Sequence, residues 1–153
     1  MSLIGEVRSE LGDRWIADVY QDKVRSQRTR SFHLDIPEHE NAPEILHTLL
    51  GIELKVGRRR FACPDLATAR YLRVFARLGV REIAVPYDIT RISVIADELE
   101  TAWQKMLLLL KEKDQGSGRA RSALVRKLRD EIALIGPGEM MPDFDRPTRQ
   151  RSK

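Results

Sequence analysis

The stretch that decides the fold runs from residue 52 to residue 87 and reads IELKVGRRRFACPDLATARYLRVFARLGVREIAVPY. Its first five residues alternate apolar and charged side chains, and strand side chains switch faces at every residue. Glu53 and Lys55 therefore share one face of a predicted strand. Gly57 offers a turn with positive φ, and residues 60 to 63 can return as a second strand before a proline ends it.

A helix and a third strand complete this unit. Asp65 is a good N-cap for a helix over residues 66 to 78, because its carboxylate can accept a hydrogen bond from a first-turn amide. Gly79 suits the position that ends the helix. Residues 82 to 86 are mostly apolar, which favours a buried strand. These short connections predict a right-handed crossover onto a shared sheet.

The flanking segments predict further helices and one strand. Apolar residues recur at helical spacing from Ser2 to Asp22, and residues 31 to 36 alternate like a strand. We therefore predict an α/β (or α+β) protein with a small mixed β-sheet of three to five strands, flanked by helices, and a helical C-terminal portion. The predicted parts are a single domain over residues 1–113 that includes a long helix over 90–113, a C-terminal helix over 119–135 that packs on it, and a flexible tail over 136–153.

Residues 42 to 50 fit two structures. Asn41 with Glu44 three positions later resembles a capping arrangement, and Pro43 suits a first helical turn. Gly51 suits a C-cap, so this capping chemistry favours a short helix. The alternative extends the following strand back to about His47.

The predicted helix over residues 90 to 113 carries an apolar face typical of a heptad repeat. Its apolar positions fall three and four apart; they are Ile92, Ile95, Leu99, Ala102, Met106 and Leu109. Residues 106 to 110 are apolar on every side, so they need cover from the sheet, the next helix or another subunit. This face indicates a homodimer formed through the long helix.

Composition restricts the class of protein. The chain has 153 residues, of which 42% are hydrophobic, and this predicts one folded domain. No apolar run approaches the roughly 20 residues needed to cross a bilayer, and the N-terminus lacks the pattern of a signal peptide. Cys63, the single cysteine, is predicted to be a small buried residue. We therefore predict a cytoplasmic protein that does not associate with membranes.

Glu53-Leu54-Lys55 on a strand, followed by a helix and another strand, resembles the core of the PD-(D/E)XK nuclease superfamily, including its Holliday junction resolvase branch. The resemblance covers about residues 30 to 87. It implies that Asp35 and Glu53 are ligands of a divalent metal ion, Mg²⁺ or Mn²⁺, and that Lys55 orients or activates the attacking water. Such a metal ion lowers the pKa of bound water and neutralises charge on a phosphodiester. The alternative is an ordinary charged face on an amphipathic strand.

Three groups of arginines fall in or near the same segment. They are Arg25, Arg28 and Arg30; Arg58, Arg59 and Arg60; and Arg70, Arg73 and Arg77. Residues 23 to 81 carry 12 Lys and Arg against 6 Asp and Glu. If the groups converge, they form a surface for the phosphates of DNA or RNA. The alternatives are a solvated helix face or a surface for an acidic protein.

Two functional hypotheses follow from these patterns. The first is a nucleic-acid-binding protein, with metal-dependent cleavage by Asp35, Glu53 and Lys55 as its catalytic form. The second is a noncatalytic regulatory or interaction protein that dimerises through the long helix. The nuclease needs two carboxylates at one metal ion, whereas the dimer needs an exposed apolar surface on the helix.

Overall fold

A computed structural model of the chain describes residues 2–114 and 118–137. The helices are α1 (Leu3–Leu11), α2 (Ile16–Val19), α3 (Leu66–Leu78), α4 (Ile89–Asp114) and α5 (Gly118–Ile135). A 3₁₀ turn, Gly12–Arg14, joins α1 to α2, and a π-helical turn, Tyr20–Val24, follows α2. The strands are β1 (Thr29–His33), β2 (Glu44–Thr48), β3 (Gly51–Val56), β4 (Arg59–Cys63) and β5 (Glu82–Pro86). The predicted class, an α/β (or α+β) fold with a small amount of β-structure flanked by helices and a helical C-terminal portion, is confirmed.

The described strands form two antiparallel sheets and not one mixed sheet. One sheet has the order β2-β3-β4, and the other pairs β1 with β5. Two-residue turns join β2 to β3 and β3 to β4, which makes consecutive strands antiparallel neighbours. The predicted crossover through α3 is wrong, because α3 leads from β4 in one sheet to β5 in the other.

Residues 44 to 48 form a strand, so the predicted helix over 42 to 50 is wrong. Asn41 does not act as an N-cap. Its side-chain amide donates to the carbonyls of Pro37, His39 and Ala76. Pairing with β3 places Ile45 opposite the fully buried Leu54. Tertiary pairing therefore outweighs the local capping signal.

Helix α3 packs between the three-stranded sheet and α4. Asp65 caps it by accepting a hydrogen bond from the Thr68 amide at 2.7 Å, as predicted. Its buried residues are Thr68, Ala69, Tyr71, Leu72, Val74, Phe75, Ala76 and Leu78. One side of α3 packs on α4 and another on the three-stranded sheet. This arrangement needs a helix with a wide apolar face, which the sequence pattern indicated.

The apolar face of α4 lies inside the chain. Ile92, Ile95, Leu99, Ala102, Met106 and Leu109 are all at most 8% exposed. They pack among α1, α3 and α5. This face is therefore not a free surface for a second subunit. The homodimer stays a prediction, but the predicted interface on α4 is not available to it. Helix α5 packs on α1, α3 and α4. No helix among residues 2–114 and 118–137 has the length and apolar character needed to span a bilayer.

The hydroxyl groups of two buried tyrosines form hydrogen bonds with the edge of β5 that does not face β1. The Tyr71 hydroxyl donates to the Ala84 carbonyl, and the Ala84 amide donates to the Tyr20 hydroxyl at 2.8 Å. The Tyr20 hydroxyl in turn donates to the carbonyl of Gly136. These bonds satisfy the backbone groups of Ala84 that do not face β1. Of the predicted tail over 136–153, the first residue is thus bonded to the core, and residues 138–153 lie outside the described residues.

Gly79 is held where no side chain fits. Its φ is 80°, and a Cβ there would lie 2.5 Å from the His39 carbonyl oxygen. We expect Gly79→Ala to lower the free energy of unfolding by about 3 kcal/mol or more, measured by urea denaturation, because left-handed strain and a backbone clash add together. Gly57→Ala is the matched control, since φ is 61° but the space around its Cβ is open. It should cost only about 1 kcal/mol, and equal destabilisation by the two substitutions would contradict the clash.

Removal of the Tyr71 hydroxyl tests the bonded edge of β5. Tyr71→Phe leaves the Ala84 carbonyl buried without its donor, so we expect a decrease of about 1–3 kcal/mol in the free energy of unfolding. Urea denaturation followed by circular dichroism measures it. A decrease below about 0.5 kcal/mol would show that the bond contributes little.

Candidate nucleic-acid interface

The turn between β3 and β4 gathers four cationic residues of the predicted site. Gly57 and Arg58 form the turn, Lys55 precedes it, and Arg59 and Arg60 follow it. A Lys55 to Arg60 cross-strand pair places these two side chains on one face of the sheet. Arg58 is exposed and has no carboxylate partner within the described residues. We call Lys55, Arg58, Arg59 and Arg60 the cationic hairpin.

Two open clefts flank the turn of the cationic hairpin. Each has a volume of about 380 Å³. One is bounded by the loop after β1, and its lining includes Asp35, Pro37, Arg58 and Arg59. The other lies toward β2 and is lined in part by His39, Glu44 and Lys55. The loop that forms both walls is tied to the C-terminal end of α3 through the side-chain amide of Asn41. The hairpin therefore meets a fixed surface on both sides.

Asp35 lies outside the strand that the sequence predicted for it. Strand β1 ends at His33, and the Asp35 carboxylate contacts two arginines from other elements. Its Oδ2 is 2.9 Å from Nη2 of Arg59, and its Oδ1 is 3.5 Å from Nη2 of Arg81. Strand β1 pairs with β5 and not with β3. The strand before Asp35 is therefore not a neighbour of the strand that carries Glu53.

Glu53 contacts a different arginine on the opposite face of the sheet. Its Oε1 accepts a hydrogen bond from Nη1 of Arg60 at 3.3 Å. Glu53, Lys55 and Arg60 point to one face, because they lie an even number of residues apart or directly opposite. Arg59, the partner of Asp35, lies opposite Val56 and so points to the other face. Asp35 and Glu53 thus approach the sheet from different sides.

This donor arrangement does not fit the metal site that the nuclease resemblance implies. A divalent cation needs converging carboxylate oxygens, whereas Asp35 and Glu53 each bond arginines of their own. No group of three or more His, Cys, Asp or Glu side chains suited to a metal ion occurs in the part of the chain that the structure describes. The site of Mg²⁺ or Mn²⁺ at Asp35 and Glu53 stays a prediction.

The first arginine group is dispersed. Arg25 donates to the Thr29 hydroxyl at 3.2 Å, and the Arg28 guanidinium lies 5.2 Å from the ring centre of Tyr87. Arg30 lies within β1, opposite Val85. These contacts hold the segment before β1 against β5 and do not place the three guanidinium groups on the cationic hairpin.

The arginines of α3 serve an internal contact. Arg70 bonds both Glu100 and Asp97 of α4, and Arg73 bonds Glu100 at 3.0 Å. Burial alone would raise the pKa of Glu100, but hydrogen bonds and charge from the two arginines outweigh it and lower that pKa. The hydrogen bonds that Arg70 donates to Glu100 and Asp97 raise the pKa of Arg70. The predicted stripe thus clamps α3 to α4, and its third member, Arg77, is not part of that clamp.

Some partners of these residues were missed from the sequence. Asp97 and Glu100, three residues apart on α4, form an acidic match to Arg70 and Arg73, three apart on α3. That equal spacing is a signal that could have paired the two helices. Arg81, the second contact of Asp35, had no such signal, because it lies in a loop far along the chain.

Cys63 is buried as predicted, and burial first, then the charge of Asp65, raises the pKa of its thiol to about 11.

The pKa of Glu100 leads to a pH-dependent prediction. Because this pKa is lowered on folding, the ionised carboxylate stabilises the protein above its unfolded pKa of about 4.3, and the stabilisation disappears as the pH falls through the lower folded value. Glu100→Gln should cost about 1–3 kcal/mol in the free energy of unfolding at pH 7. The difference should shrink steadily below about pH 4. Glu112→Gln, at an exposed position of α4, is the control and should change little.

The predicted arginine groups lie in different parts of the structure. Arg58, Arg59 and Arg60 lie on the cationic hairpin, whereas Arg70 and Arg73 lie in the α3–α4 clamp. Comparisons with protein-family models, with curated proteins and with solved structures found no match to this chain.

Proposed function

We propose that this chain binds nucleic acid through the cationic hairpin and the two clefts beside its turn. The observation that carries the proposal is Arg58, an exposed guanidinium at the tip of the turn that has no carboxylate partner among the described residues. Lys55, Arg59 and Arg60 lie within three residues of it. A guanidinium presents a planar fork of donors that matches phosphate oxygens.

Phosphate groups can replace the carboxylates in the ion pairs of the cationic hairpin. The side chains of Arg59 and Arg60 remain 64% and 56% exposed in their pairs with Asp35 and Glu53. Exposed pairs of this kind contribute about 0–1 kcal/mol. A phosphate can therefore replace either carboxylate at little cost. The two acids also limit the affinity for non-specific anions, because they compete for the same guanidinium groups.

The arrangement supports binding more directly than cleavage. Cleavage by Asp35, Glu53 and Lys55 would require the two carboxylates to leave their arginines and meet at one metal ion on one face of the sheet. Binding to Arg58 requires no rearrangement, since this side chain is accessible as it stands. The same cationic hairpin could receive an acidic protein in place of nucleic acid, so the test must separate these partners.

The test measures the affinity of the protein for labelled single-stranded DNA, duplex DNA and RNA by fluorescence anisotropy at several salt concentrations. We expect the variant Arg58→Gln/Arg59→Gln/Arg60→Gln to weaken binding about tenfold or more at low salt. The slope of log affinity against log salt concentration should also become less negative by about one for each phosphate that the variant no longer neutralises. The control is Arg91→Gln/Arg119→Gln/Arg126→Gln, which removes three exposed arginines elsewhere.

Three results would count against the proposal. Equal weakening by both triple variants would mean that net charge alone governs binding. Polyglutamate bound as tightly as nucleic acid of equal length would favour an acidic protein partner. No salt-dependent binding to any nucleic acid would remove the function. An added arm with Mg²⁺ or Mn²⁺ tests cleavage, which Glu53→Ala and Lys55→Ala should abolish if the carboxylates do assemble.

A further inference from the structure

Another cleft lies between α3 and α4. It has a volume of about 350 Å³ and is lined by Arg73, Arg77, Glu100, Thr101 and Gln104. It shares no lining residue with the two clefts of the cationic hairpin. Thr101 and Gln104 are exposed side chains that offer a hydroxyl and an amide to the cleft. The lining is therefore rich in hydrogen-bond donors.

The charges around this cleft do not balance. Four guanidinium groups belong to the cleft and its surroundings. Arg73 and Arg77 line it, Arg70 shares Glu100 with Arg73, and Arg121 lies over the same aromatic ring as Arg77. Glu100 and Asp97 bind Arg70, and Glu100 also binds Arg73. Glu40 binds Arg121 through both of its carboxylate oxygens. Four cations against three carboxylates leave one positive charge, and Arg77 is the guanidinium without a carboxylate partner among the described residues.

Arg77 is held in place without being neutralised. Its guanidinium carbon lies 5.9 Å from the ring centre of Trp103, and that of Arg121 lies 5.7 Å from the same ring. Trp103 is only 3% exposed, so its ring is a fixed base for both cations. Burial first, and then the positive charge of Arg73, lowers the pKa of Arg77. A half-buried cation beside two others gains from an anion that can reach it.

We propose that the cleft between α3 and α4 binds the oxyanion of a small molecule, a carboxylate or a phosphate group, with Arg77 as its charged ligand. Thr101 and Gln104 donate further hydrogen bonds to the same oxygens. Arg73 stays on Glu100 and shapes the wall of the cleft. The guanidinium of Arg77 needs no rearrangement to meet the anion, because the Trp103 ring already holds it at the cleft.

The experiment measures binding of inorganic phosphate and of acetate to the full chain by isothermal titration calorimetry, with chloride keeping the ionic strength constant. We expect saturable binding of at least one oxyanion, and its dissociation constant should rise about tenfold or more in Arg77→Gln. Arg126→Gln, which removes an exposed arginine of α5 outside this cleft, is the matched control and should leave binding unchanged. The phosphate and acetate arms show which oxyanion the cleft prefers.

A stability measurement keeps the proposal falsifiable if calorimetry of Arg77→Gln is prevented by poor folding. Thr101→Val removes one donor at an exposed position and should weaken oxyanion binding about threefold. The bound oxyanion should raise the thermal midpoint of the wild-type protein above that in chloride. The proposal is overturned if neither oxyanion raises the midpoint, or if Arg77→Gln or Thr101→Val binds as tightly as the wild type. The triple variant of the cationic hairpin should keep the part of oxyanion binding that depends on Arg77.

Discussion

Burial of α3 between the three-stranded sheet and α4 is the constraint on which the rest of the structure depends. Tyr71, Leu72 and Phe75 are fully buried on this helix. Its N-terminus is capped by Asp65, and its C-terminal carbonyls accept hydrogen bonds from the side chains of Asn41 and Arg129. Because both ends are bonded, the loops that leave α3 have fixed starting points. The clefts of the cationic hairpin and the α3–α4 cleft share no lining residue.

The same residue type has two roles in these two places. Arg70 and Arg73 are about three-quarters buried, and each bonds carboxylates of α4. A cation removed from water needs such partners, because an unpaired charge in the interior is costly. Arg58, Arg59 and Arg60 remain largely in solvent, where pairing contributes little and exchange with a ligand is easy. Charge count alone therefore does not distinguish an internal clamp from a binding surface, whereas exposure does.

Elements with strong local signals were predictable from the sequence. The N-cap Asp65 and the terminal Gly79 defined α3 to the residue, and the alternating pattern defined β3 and β4 closely. The strand β2 was not predictable, because Asn41, Glu44 and Gly51 make local helix signals that pairing with β3 overrides. The arrangement of β5 was also missed. Its short connection from α3 fits either a shared or a separate sheet, and the tyrosine hydroxyls that bond Ala84 come from distant parts of the chain.

The sequence by itself determined the class of fold, the long apolar helix, and the presence of a cationic turn after Glu53 and Lys55. These follow from side-chain periodicity and turn chemistry, which act over a few residues. Only the tertiary structure decided which charged groups meet. Asp35 contacts Arg59 and Arg81, Glu53 contacts Arg60, and Glu100 holds Arg70 and Arg73. Such pairings depend on how distant elements pack, because two charges must approach within a few ångströms to interact strongly. The residues next to a charged side chain in the sequence do not show which distant charge it will meet.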